Sequence, residues 1–91
     1  MASPDIEALR QESERLLIQF LDRELELTQT LIDLSRIESR SGNAEHASEA
    51  ADHARQGLAA IRKFIERVAS DADRTRILRG LQHLETQAAG C

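Results

Sequence analysis

The chain has almost no aromatic side chains. Phe20 and Phe64 are the only two, with no tryptophan or tyrosine among 91 residues. Base-stacking platforms and large aromatic anchors are therefore nearly absent, which argues against single-stranded nucleic acid as a ligand. Cysteine is as scarce. Cys91 is the only one and ends the given sequence, so no intramolecular disulfide is available. Cysteine poverty suits a reducing compartment, and a cytoplasmic location is expected. No apolar run approaches the roughly 20 residues a spanning helix needs, and Met1–Asp5 has neither the basic nor the apolar stretch of a signal peptide. No membrane partner is expected. Glycine-rich phosphate loops and cysteine–histidine pairs on ordered elements are missing too. The expected class is non-enzymatic, with no cofactor and no small-molecule ligand.

Charge and helix formers are what the chain has in quantity. The net charge is −4, which disfavours nucleic acid as the main partner. It is unevenly placed: residues 1–40 carry nine acidic side chains against five arginines, whereas residues 41–91 carry seven of each sign.

Proline and glycine punctuate the chain sparingly. Ser3 is placed to cap a helix, Pro4 suits its first position, and Asp5 and Glu7 complement the positive end of its dipole. Neither proline nor glycine recurs before Gly42. The pattern predicts helix 1 over about 5–40. Ser41-Gly42-Asn43 then gives a short turn, with Gly42 suited to a left-handed position and Asn43 to capping. Helix 2 is expected over about 44–69. Ser70 and Asp73 form a capping box for helix 3 over about 71–87, with 88–91 a mobile tail. Gly42–Ala47 with Ala51 and Ala54 resembles the opening of the second helix of tetratricopeptide repeats, but no period of about 34 residues follows, and no family is assigned. The expected fold is all-α: one domain over 1–91, a long antiparallel helical hairpin plus a shorter third helix, as a three-helix bundle or a dimeric helical bundle.

Helix 1 carries two apolar stripes. Ile6, Leu9, Leu16, Phe20, Leu27, Leu31 and Leu34 recur at coiled-coil spacing and are expected to form the hairpin seam. Pairing them with Ala51, Ala54, Leu58, Ile65 and Val68 of helix 2 sets Leu27 against Leu58 and Phe20 against Ile65. The second stripe is Ile18, Leu21, Leu25 and Ile32, about 100–160° from Phe20 at 100° per residue. Helix 2 reaches only to about Leu16, leaving Ile6 and Leu9 uncovered. The expected interaction surface is therefore Ile6, Leu9, Ile18, Leu21, Leu25 and Ile32, for helix 3, a second copy or a helical protein partner.

Glu24 falls inside the first stripe, opposite Ile61. A buried carboxylate there would find a cation, Arg62 being nearest and Arg55 next, or become protonated, and so fix register or partner; otherwise its stem packs and its head reaches water at the seam edge. His46, Glu49 and His53 share a face of helix 2, but His46 and His53 lie roughly 10.5 Å apart along the axis, too far for one zinc ion, and no metal is expected. The expected function is a small helical interaction protein: an adaptor, chaperone-like protein or regulatory subunit acting by helix packing. The alternative is a nucleic-acid-associated regulator using the basic third helix with Arg74, Arg76 and Arg79.

Overall fold

The computed structural model describes residues 4–90. They form three helices: α1 over Pro4–Arg40, α2 over Ala44–Ile65 and α3 over Asp71–Ala89. The particle is a rod of 64 × 20 × 15 Å. Ser3 and Cys91 lie outside the described residues.

α1 runs unbroken because nothing between Pro4 and Gly42 interrupts its hydrogen-bond ladder. It ends in a Schellman motif. Gly42 takes φ +83°, the Asn43 amide donates to Glu38 O (2.8 Å) and the Gly42 amide donates to Ser39 O (3.2 Å). Asn43 opens α2, but its side chain does not cap it: Asn43 Nδ2 donates instead to Glu38 Oε2 (2.8 Å). The side-chain amide is turned toward the carboxylate of the preceding turn and not toward the helix end.

α2 stops at Ile65, four residues before the expected Ala69. The following turn carries buried Val68 into the core and bends the chain before α3. The bend reconciles the phases of the two helices, whose apolar faces would diverge on one continuous rod. Ser70 caps α3 as its position predicts, its hydroxyl accepting from the Asp73 amide (3.3 Å). The Glu14 carboxylate crosses from α1 and accepts from the amides of Ala69 (2.9 Å) and Ser70 (3.4 Å), satisfying linker donors that lack helical partners. At the far end, helix continues through Ala89. Ala88 packs on the core, so residues 88 and 89 belong to α3 and not to a frayed tail.

The core has two joined parts. Leu21, Ile61, Ile65, Val68, Ile77 and Leu81 form the larger one, with Leu17, Ile18, Leu25, Leu58 and Phe64 against it. Ile32, Ala54 and Leu84 form the second, toward the hairpin turn. The antiparallel register is close to the expected one: Thr28 meets Gly57, and Phe20 meets Phe64. The face of α1 in that register is different. Leu16, Phe20, Leu27 and Leu34, expected in the seam, are exposed, and Leu31 is only half-buried. Leu21 and Ile32, expected on an interaction surface, are buried at 0% and 2% exposure. α1 is turned by roughly 120° about its axis from the expected orientation. It must serve α2 and α3 together, and the arc between those neighbours is centred on Leu21, Thr28 and Ile32.

Polar contacts lock α3 in place. Gln29 and Gln87 exchange two side-chain hydrogen bonds (2.7 and 3.1 Å), and Arg36 donates to Gln87 O (2.9 Å). Arg76 donates to Asp22 (2.6 Å), and this hydrogen bond is the main reason its guanidinium holds its proton more tightly than usual. Arg62 of α2 pairs with Glu85 of α3.

Candidate functional site

The outer face of α1 is the most unusual surface of the molecule. Ile6, Leu9, Leu16, Phe20, Leu27, Leu34 and Ile37 are all exposed, Leu9 at 65% and both Leu16 and Leu27 at 52%. They follow alternating steps of three and four residues, with exposed Ser13, Arg23 and Thr30 filling the remaining positions of the pattern. This is the a/d spacing of a helix that expects another helix. A soluble chain rarely leaves a contiguous apolar stripe of this length in water. The stripe is not a failed core, because the interior is already complete on another side of α1, roughly 120° around the helix.

Several features shape its surroundings. Phe20 sits at the border with α2, its ring edge-on to Phe64 at 5.7 Å and 87°. The Arg67 guanidinium lies 4.8 Å and the Lys63 amine 5.5 Å from the Phe64 centroid, so this border is basic. Toward the N-terminus, Ile6, Leu9, Ser13 and Leu17 line a groove closed on one side by Arg67 and Ala69. Every residue from Asp5 to Ser13 is exposed, because α2 and its linker end level with Glu14.

The expected interaction residues therefore separate into two groups. Ile6 and Leu9 lie on the open stripe. Leu21 and Ile32 are buried in the bundle interior, and half-buried Ile18 and Leu25 pack against its edge, Ile18 also lining the N-terminal groove. Leu16, Phe20, Leu27, Leu34 and Ile37 take their place outside. The signal for them was present as regular heptad spacing, but spacing defines a face without saying which neighbour occupies it.

Glu24 is half-buried beside Leu27, Thr28, His53 and Gln56. Neither expected cation reaches it: Arg62 is paired with Glu85, and Arg55 with Asp52. Among the described residues Glu24 makes no ion pair, its head reaching the shallow groove between α1 and α2. His46 is exposed, with Nδ1 3.8 Å from Glu38, and no group of three or more metal-ligating side chains occurs among the described residues. On α3, Arg74 pairs with Asp71, and Arg76 with Asp22 and Asp73, so much of its positive charge is met within the chain.

No described helix is long and apolar enough to cross a membrane. No protein-family model, curated protein or solved structure matches the chain.

Proposed function

We propose that this chain is a helical interaction module, with the outer face of α1 as its docking surface. The observation that supports the reading is the combination of a finished core with a second, regular apolar stripe on the same helix. Inside, Leu21, Thr28 and Ile32 are used up. Outside, Leu9, Leu16, Leu27 and Leu34 sit on the regular three–four spacing of the stripe and remain exposed. Such a module works by binding rather than by catalysis, and a cytoplasmic setting suits a chain with one cysteine.

Site-specific photo-crosslinking tests this directly. A photoreactive phenylalanine analogue in place of Leu16 or Leu27 should give a discrete crosslinked species in the cells that produce the protein. The same analogue at exposed Arg79, on the far helix, should give none. Equal labelling at all three positions, or none at the stripe, would refute the docking face.

A further inference from the structure

We infer that the occupant of this stripe is a second copy of the same chain, lying antiparallel on it with α1 against α1. The inference rests on the docking reading above and identifies its partner. Its basis is an internal symmetry of the stripe. Let two copies of α1 run antiparallel about a two-fold axis midway between Leu21 and Asp22. Ile6 then falls opposite Ile37, Leu9 opposite Leu34, and Leu16 opposite Leu27. Ser13 falls opposite Thr30, so the small polar positions meet each other. Phe20 falls opposite Arg23, a cation over an aromatic ring. All ten positions are exposed in the single chain.

A two-fold interface requires this property. The same patch must serve both partners, so residues equidistant from the axis must suit one another. A surface that receives an unrelated helix has no reason to match itself in reverse order. In antiparallel pairs a positions meet d positions, and here Ile6, Ser13, Phe20, Leu27 and Leu34 occupy one set and their partners the other. A parallel pair would instead set each residue on its own copy, bringing Arg23 against Arg23 inside the seam. At the rim, Asp5 comes beside Arg40 of the second copy. Glu12 comes near Asp33 of the second copy, a like-charge contact that Arg15, bonded to Glu12, offsets. From Ile6 to Ile37 the strip is roughly 47 Å long and about 10 Å wide. With the flanking side chains this approaches the scale of about 800 Å² per partner found in stable complexes.

Charge exchange in the purified chain tests both the partner and its direction. Light scattering over a wide concentration range should show a mass of about twice 10.2 kDa. Leu16→Glu alone, or Leu27→Lys alone, should raise the dimer Kd by roughly a hundredfold or more, because each change enters two layers of the seam. Helical circular dichroism should be unchanged, since both side chains lie outside the core. The double variant Leu16→Glu/Leu27→Lys should recover the dimer, each glutamate now opposing a lysine. In a parallel pair the double variant would be the weakest of the three. A wild-type chain that stays monomeric at every concentration overturns the inference. So do single variants that dissociate without recovery in the double. The crosslinking experiment separates this failure from that of the docking face. A stripe crosslink to a protein of different mass leaves the face standing and removes the second copy as its occupant.

Discussion

Leu21→Ala is expected to destabilise the monomer by about 3 kcal/mol, whereas Leu27→Ala on the outer face is expected to change its stability by less than about 1 kcal/mol. Leu21 is fully buried among Ile61, Ile65, Val68, Ile77 and Leu81, where α1, α2, the linker and α3 converge. Removing the isopropyl end of its side chain loses the transfer energy and leaves a cavity that three helices cannot all close. For a chain of this size such a loss lowers Tm by roughly 12–24 °C. Leu27 is half in water already and borders only the shallow groove beside Glu24. Thermal melts at dilutions where the chain is monomeric give the comparison. Equal losses, or a larger loss at Leu27, would mean that the seam faces the other way.

The second large effect belongs to Gly57. A Cβ built there lies 2.2 Å from Thr28 Oγ1, 3.4 Å from Thr28 Cβ and 3.6 Å from Thr28 Cγ2. The first distance is impossible for a real methyl group. Thr28 is buried at 0% exposure and branched at Cβ, so it has little freedom to move aside. Gly57→Ala should therefore push α1 and α2 apart. Overpacking of this kind costs about 1–3 kcal/mol, against a gain of about 1 kcal/mol from the better helix propensity of alanine. The net expectation is a loss of up to about 2 kcal/mol by chemical denaturation.

The partner substitution is expected to be much milder. Thr28 Oγ1 is buried with no hydrogen-bond partner among the described residues, so removing it relieves an unsatisfied group. Thr28→Ala alone should stay within about 1 kcal/mol of the parent. In that background Gly57→Ala should become neutral or stabilising, a coupling of roughly 2 kcal/mol between the two sites. Additive effects would show that the two helices do not cross closely here.

These two sites mark where sequence reasoning succeeded and where it went astray. The number and order of the helices, the left-handed Gly42 and the Ser70 cap follow from local chemistry, and all three are present. The antiparallel register was legible as well, since a short turn leaves little room to slide, and Thr28 against Gly57 lies on the expected line. The inner face of α2 was also legible at Ala54 and Ile65, both buried. The rotation of α1 was not legible. Both of its stripes are apolar, and size favoured the wrong one: leucines and a phenylalanine outside, a threonine in the middle of the inside. The decisive information lies in small residues. Thr28 against Gly57, and Leu25 against Gly80, where an added Cβ would lie 3.2 Å from the leucine methyls, show that the core is built around close approach, not around the bulkiest side chains. A stripe of large residues left over from such a core is then the candidate site, and its reverse symmetry is readable only once the inner stripe is known.

The uncovered start of α1 has a consequence for local motion. Residues 5–13 are held by backbone hydrogen bonds on a helix already nucleated by the bundle, with no tertiary cover of their own. Their opening free energy falls toward zero with distance from Glu14, while that of Leu21 approaches the global value. Amide hydrogen exchange along this segment is therefore a graded ruler. In the isolated chain, protection decays residue by residue toward Asp5. In the inferred dimer, where the hairpin end of another copy would clasp Ile6 and Leu9, the gradient should flatten, and the first turns of the helix should exchange nearly as slowly as its middle.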